Sequence, residues 1–317
     1  MEIHRHFSVR CCKGKLWIRS LILLGLITLG LSCSETEDVN RPFTEDALEP
    51  IDAENENGGI AATFRLATWN IRIFSDNSRS DEELQLIANV LVDYDFIAIV
   101  ELRDENVLKR TVSMLELMGK DYDYVMSRKV GGKVKERYAF LFDQQIVDVV
   151  EDGMVFPDPN DAFFREPYFA SFKAGEFDFT AIAVHVIWGN SVAKRRSEVQ
   201  ELADVYQTVQ DINGAEQDVI LLGDFNRNPD DRIAYQPLLQ ITGMLHLFTL
   251  PQKSHIKDSS LYDNIFFQSI HVTEYNNESG VDRFDETDFG NNDRAASLAV
   301  SDHRPLWCEF RIDRDDD

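Results

Sequence analysis

Cysteine is scarce in this chain, with four in 317 residues. Cys11 and Cys12 lie near the start and Cys33 follows an apolar run, so Cys308 has no partner in the body of the chain. That spacing excludes a small disulfide scaffold, and a domain of ~250 residues with its own core has no need of one. Cys308, in Leu306-Trp307-Cys308-Glu309-Phe310, reads as a buried strand residue. Long hydrophobic runs are missing too. The most apolar stretch, Leu21 to Leu31, falls short of the ~20 residues a membrane span needs. Positive charge is in deficit, with 32 Lys and Arg against 56 Asp and Glu and a formal net charge of −24. This excludes a broad basic face of the kind that holds nucleic acid as a structural protein does. It does not exclude an enzyme, because carboxylates gathered at a divalent ion are compensated by that ion. There is no internal repeat and no long low-complexity tract. The 44% hydrophobic content is enough for one large domain or two small ones.

Arg5, Arg10, Lys13, Lys15 and Arg19 accompany an apolar run from Leu16 to Leu31. A basic region before a short hydrophobic stretch is an export-signal pattern. Residues 1–32 end at Leu31-Ser32 before Cys33 and resemble a lipoprotein signal after which Cys33 would carry lipid, with Gly30 where such signals usually have leucine. A plain signal peptide with an incidental cysteine is the alternative. The expectation is an exported protein at an outer membrane or cell surface, or else a periplasmic or secreted one. Residues 33–62 are polar and acidic without hydrophobic periodicity, as in a solvated tether. Residues 63–313 are expected to form the domain, with 314–317 a short acidic tail.

From Thr63 onward, short strand-like runs outnumber helical stretches. One helix is expected from Ser80, with Asp81-Glu82-Glu83 in its first turn and apolar residues at Leu84, Ile87, Ala88 and Leu91. Ser80 and Glu83 have capping-box spacing. A second is expected over 191–211, with Val192, Val199, Leu202, Val205, Tyr206 and Val209 as its stripe. Strand candidates surround Phe140, Val147, Phe169, Phe179, Ile220, Ile265 and Phe310. An α/β fold, a four-layer α/β/β/α sandwich of two mixed sheets with outer helices, would bury the many Val, Ile and Phe residues.

Functional residue types stand where apolar runs end. Asn70 closes Leu66-Ala67-Thr68-Trp69, Glu101 closes Ile97-Ala98-Ile99-Val100, and His185 closes Ala181-Ile182-Ala183-Val184. Gly223-Asp224-Phe225-Asn226 follows Val219-Ile220-Leu221-Leu222 and sets a carboxylate two residues from an amide, a pair suited to holding a water nucleophile. Alone, that tetrapeptide also fits a turn. Ser301-Asp302-His303-Arg304-Pro305 offers an acid beside an imidazole before a last strand, and a surface turn is its plain reading. Tyr262-Asp263-Asn264-Ile265 taken alone reads as structural. Together the set points to a metal-dependent phosphodiesterase with its groups at the mouth of a sheet scaffold.

The order Trp69-Asn70-Ile71-Arg72, Glu101-Leu102-Arg103-Asp104, His185, Gly-Asp-Phe-Asn, Tyr-Asp-Asn-Ile and Ser-Asp-His-Arg-Pro resembles the endonuclease/exonuclease/phosphatase superfamily. The deoxyribonuclease I branch is nearest, through Lys135-Glu136-Arg137-Tyr138, Phe164-Arg165-Glu166-Pro167 and Asp204-Val205-Tyr206. The similarity runs from about Phe64 to Ile312. It implies a magnesium site at Glu101 with Asn70 and Asp302, and catalytic histidines at His185 and His303. It further implies Glu136 orienting the first histidine, Asp263 orienting its neighbours, and Asp224 with Asn226 positioning the attacking water. Arg165 would bind phosphate, and Arg72 and Arg103 would approach the DNA minor groove and backbone. Manganese in place of magnesium, and calcium as a structural or activating ion, are compatible with the resemblance.

Two departures bear on substrate. Val134 stands where deoxyribonuclease I has a tyrosine that packs into the minor groove, and Asp152 to Asp161 lacks the cysteines of its calcium-associated disulfide loop. Acidic loops at Asp152-Gly153 and Asp285 to Asp293 have the composition to hold an ion, although solvation explains them more simply. The expected activity is hydrolysis of DNA phosphodiester bonds by a lipid-anchored or secreted, monomeric endonuclease. RNA, or the lipid or inositol phosphates handled by other branches, is the alternative substrate, and a non-catalytic adhesion lipoprotein is the third class.

Overall fold

Strand runs that end in a functional side chain all reach one edge of the molecule, for a topological reason. The computed structural model describes residues 62–315 apart from 213 and 215, so the expected signal, Cys33 and nearly all of the tether lie outside the described residues. In chain order the elements are β1 (Thr63–Phe74), α1 (Asp81–Leu91), β2 (Phe96–Leu102), α2 (Glu105–Leu117), β3 (Tyr122–Met126) and β4 (Arg137–Asp143). Next come β5 (Val147–Val155), β6 (Tyr168–Ala174), β7 (Phe177–His185), α3 (Val192–Ile212) and β8 (Val219–Asp224). The chain continues through α4 (Arg232–Leu239), β9 (Met244–His246), β10 (Asp263–Gln268), β11 (Tyr275–Val281), α5 (Phe284–Thr287), α6 (Asp293–Ala299) and β12 (Leu306–Arg311).

The strands form two six-stranded sheets, ordered β11-β12-β1-β2-β4-β3 and β5-β6-β7-β8-β10-β9. Each has one parallel pair at the same place in its order, β1 with β2 and β7 with β8, and its other pairs are antiparallel. The C-terminal ends of a parallel pair therefore lie beside the N-terminal ends of their antiparallel neighbours. That rule brings Asn70 and Glu101 on β1 and β2 to the edge where β4 and β12 begin, next to Glu136 and His303. In the other sheet it aligns His185 with Asp224 and Asp224 with Asp263 directly in register.

Apolar side chains alternate between the two faces of each strand, and both faces are covered. Phe96, Ala98 and Val100 of β2 join a central core with Phe140, Phe172 and Phe179, while Ile97 and Ile99 face α1 and α2. Ile182 and Val184 of β7 pack outward against α3 and α4. The result is the four-layer sandwich expected from the pattern. Phenylalanine rings fill the space between the sheets, Phe96 meeting Phe172 edge to face at 4.8 Å between centroids. Cys308 is buried in β12 on the same inner side.

The capping box forms as expected, Glu83 N donating to Ser80 Oγ while the Glu83 carboxylate accepts from Ser80 N. Helix α2 was not anticipated from the sequence. Its signal is Asp104, whose carboxylate accepts from Val107 N, followed by buried Val107, Leu108, Thr111 and Leu115 at helical spacing.

Candidate active site

The two sheet edges enclose a cleft of about 380 Å³ lined by Asn70, Arg72, Glu101, His185, Asp224, Asn226, Asp302 and His303, with Ile73, Trp188, His255 and Tyr262 at its sides. Eight of the twelve residues singled out from sequence as site residues of the domain line it. The remaining four, Glu136, Asp263, Arg103 and Arg165, stand directly behind.

Two imidazole–carboxylate pairs dominate the geometry. His185 Nδ1 lies 2.9 Å from Glu136 Oε2, and His303 Nδ1 lies 2.7 Å from Asp263 Oδ2. A carboxylate at Nδ1 leaves Nε2 of each ring for the cleft; that of His185 is 3.7 Å from Asp224 Oδ2. Burial alone would lower the basicity of His303, but the charges of Asp263, Asp224 and Asp302 outweigh it and raise its pKa to about 10. Burial acts to raise the Glu136 pKa, yet the hydrogen bond and charge of His185, with Arg165 and Arg103, hold it down at about 2. Arg165 meets Glu136 at 2.8 and 2.9 Å and Arg103 at 3.1 Å. Arg165 thus faces inward onto Glu136, Arg103 joins Glu136 to the cleft-lining Glu101 at 3.4 Å, and Arg72 faces the cleft, 4.0 Å from Asp302.

Asn70 donates through Nδ2 to Asp224 at 3.0 Å and to Glu101 at 3.4 Å, while its Oδ1 is buried without a hydrogen-bond partner among the described residues. Glu101 is held by Ile73 N at 3.0 Å and sits at φ 63°, a left-handed conformation unusual for a side chain of its size. Held backbone outliers of this kind gather at functional sites. Oxygen donors from Glu101, Asn70 and Asp302 are the hard ligands that a small divalent cation takes, and the unpartnered Asn70 Oδ1 gives such an ion a ready ligand. Asp224, Asp263 and His303 also offer one ligand atom each within 4.8 Å of one another.

Gly223 is required by its place. Its φ is 141°, and a Cβ there would lie 2.0 Å from the carbonyl oxygen of Val184 on β7. Close approach of β7 and β8 is what brings Asp224 beside His185. Asn226, at φ 50°, donates through Nδ2 to Val186 O at 2.7 Å and so ties the end of β8 to the loop after β7.

Sequence reasoning missed several positioning groups. Ser301 Oγ donates to Asn70 O at 2.6 Å and accepts from Arg72 N and His303 N, clamping the Asp-His turn onto β1. Trp69 Nε1 donates to His303 O at 2.7 Å. Ser254 Oγ accepts from Tyr262 N and Asp263 N. Glu198, buried on α3, accepts from Phe164 N and Ile187 N and joins the loops carrying Arg165 and Trp188. A hydroxyl or carboxylate that serves only backbone amides leaves no mark in a sequence. Arg304 does carry one, standing next to His303, and it is buried with Asp285 at 2.6 and 2.7 Å.

The Endonuclease/Exonuclease/phosphatase family model matches residues 67–303, which contain every one of these groups except Arg304. The chain belongs to that family. Among relatives, human Deoxyribonuclease-1-like 2 is 32% identical over 304 residues, spanning 82% of this chain and 95% of that protein. A Deoxyribonuclease from Thioalkalivibrio sp. (strain K90mix) is 29% identical over 265 residues, 78% of this chain and 71% of that one. The fold is that of an endonuclease/exonuclease/phosphatase from Bacteroides vulgatus, with TM-score 0.53 and 18% identity over 79% of this chain and 99% of that one. Truncated Caenorhabditis elegans TDP2 shares the same fold, with TM-score 0.56 and 15% identity over 78% and 97%. Membership of the endonuclease/exonuclease/phosphatase family accounts for the paired sheets and for a site built at their common edge.

Proposed function

We propose that this chain is a divalent-metal-dependent endonuclease that hydrolyses phosphodiester bonds of DNA. The observation that carries the reading is the pair of buried dyads, His185–Glu136 and His303–Asp263, each joining one sheet to the other at a single cleft. The relatives named as deoxyribonucleases support the substrate class.

In-line hydrolysis builds charge on the non-bridging oxygens and on the leaving oxygen, so fixed donors must stand where that charge develops. His303 is held as a cation and donates to a phosphate oxygen from one side. His185 takes the other side, with Glu136 fixing its tautomer. Its Nε2 accepts the proton of the attacking water as the new P–O bond forms, and the bond to the leaving oxygen breaks as that oxygen takes the His303 proton. Asp224 and Asn226 at the cleft floor position the water, and the carboxylate orients its proton away from the attacking lone pair. Glu101, Asn70 and Asp302 would hold magnesium, which when bound supplies Lewis-acid stabilisation of the developing charge. Arg72 meets the substrate backbone directly. Arg165 acts through Glu136, and Arg103 through both Glu136 and Glu101. Export, with Cys33 as the lipid-bearing residue, belongs to the same proposal and would set the enzyme to work outside the cytoplasm.

The test is relaxation of supercoiled plasmid by the purified protein in magnesium, with an EDTA control and a His185→Ala variant. Nicking that needs metal and fails in the variant supports the reading. An intact plasmid alongside cleavage of a generic phosphodiester reporter would instead move lipid or nucleotide phosphoesters to the front.

A further inference from the structure

Trp188 and Tyr262 are large aromatics of the cleft that the chemistry above leaves unused, and Trp188 is 63% exposed. The other described tryptophans are placed otherwise. Trp69 is wholly buried, and Trp307 is half-buried beneath the guanidinium of Arg65 at 4.4 Å. An indole left in water forfeits the favourable burial of its apolar surface, and a slack loop would let it fold inward.

This loop is not slack. Val186 O accepts from Asn226 and Ile187 N donates to Glu198, so both residues before Trp188 are pinned from opposite sides. The ring is steadied as well, with the Arg195 guanidinium 5.7 Å from its centroid and the Tyr262 ring at 6.0 Å. Tyr262 is the neighbour of Asp263 and also lines the cleft. On the sheet edge that carries His185, aromatic surface therefore extends outward from the reacting groups. The facing edge presents Arg72 and the exposed Ile73.

A row of rings on one side of a phosphate site and a cation on the other is the arrangement that grips a single strand, bases stacking while the backbone is neutralised. A duplex keeps its bases stacked on each other and offers no free face to such a ring.

We propose that Trp188, supported by Tyr262, is a nucleobase-stacking platform, and that the preferred substrate is a strand whose base next to the scissile phosphate is unpaired. The proposal rests on the nuclease reading for its phosphate site, but its test does not depend on cleavage. Binding of a fluorescent single-stranded oligonucleotide is measured by anisotropy in magnesium, using the full chain in a His185→Ala background, with and without Trp188→Ala. Loss of one stacked base is expected to weaken binding on the order of 10-fold or more. Trp188→Phe is expected to recover most of that loss, and the same sequence as a duplex to show a smaller difference. On a strand with abasic positions throughout, the two proteins are expected to bind alike. Equal affinity of the two proteins for the ordinary strand, an equal loss on the abasic strand, or no binding by either protein would overturn the platform. Failure of wild-type protein to cut either plasmid or the single strand in magnesium while the Trp188 effect persists would instead remove the nuclease reading and leave a nucleobase-binding cleft.

Discussion

His303 Nδ1 lies 2.7 Å from Asp263 Oδ2, a buried contact between residues 40 positions apart in the chain. The two are brought together because β10 starts and β12 starts at the same edge, in different sheets. Asp263 thereby sets both the orientation of the ring and its charge.

Replacing Asp263 by Asn keeps the shape and removes the charge, so the His303 pKa should fall from about 10 toward the ordinary histidine value. Catalysis should drop by roughly 10²–10⁴-fold, the range expected when a positioned acid–base group is lost. The raised folded-state value also fixes a sign for stability. The contribution is fully present below the unfolded value near 6.5, is lost as pH rises, and is gone above about 10. Urea unfolding of the metal-free protein at pH 6 and pH 9.5 should show this loss in the wild type and not in Asp263→Asn. An equal pH response in both would remove the assigned role.

Glu136 has the opposite sign. Its pKa is lowered to about 2, so its contribution is present above the unfolded value near 4.5 and is lost as pH falls toward 2. In Glu136→Gln that acid-sensitive stability should vanish, leaving a flatter unfolding curve over the window. Activity at neutral pH should fall at least ~10²-fold as the His185 ring loses its fixed tautomer. Because Arg103 and Arg165 lose their shared anion, the variant should also be less stable than the wild type at pH 7. A thermal melt at pH 7 equal to that of the wild type would count against the pairing.

Gly223→Ala tests the close approach of β7 and β8. The added Cβ meets a backbone oxygen at 2.0 Å, where no side chain can yield. A destabilisation of about 3 kcal/mol or more is expected, in the range that marks backbone strain. Chemical denaturation reads it directly, and a cost under ~1 kcal/mol would mean that the strands part easily there.

Glu101→Ala removes the carboxylate that the resemblance assigns to magnesium. Plasmid nicking should fall by on the order of 10²-fold or more, the scale of several kcal/mol of lost charge stabilisation. Higher magnesium should restore part of it, since Asn70 and Asp302 remain. A magnesium titration of the rate separates this outcome from simple unfolding, and an unchanged metal requirement would move the ion to Asp224, Asp263 and His303.

Much of this protein is local in origin and was therefore legible in its sequence. Short apolar runs marked β4 to β8, β10 and β12, and the Ser80–Glu83 box marked the start of α1, because each depends on residues within a few positions of one another. Helix α2 escaped because its stripe is short and its remaining face is charged. Asn70, Glu101, His185 and Asp224 stood out because each follows an apolar run, and the family resemblance then supplied the other positions and roles that spacing alone did not.

The pairings are another matter. That His185 meets Glu136 across 49 positions, that Asn70 bridges Glu101 and Asp224, and that Arg103 and Arg165 both meet Glu136 all depend on which strands run parallel and in what register. Ser301, Ser254 and Glu198 work through backbone amides and carbonyls that only the folded chain brings near. The sequence by itself determined the strand-end residue types and the layers they demand, because periodicity is a local property. Only the tertiary structure decided which charges neutralise one another and which ring stays in solvent, because those outcomes are set by contacts between distant segments.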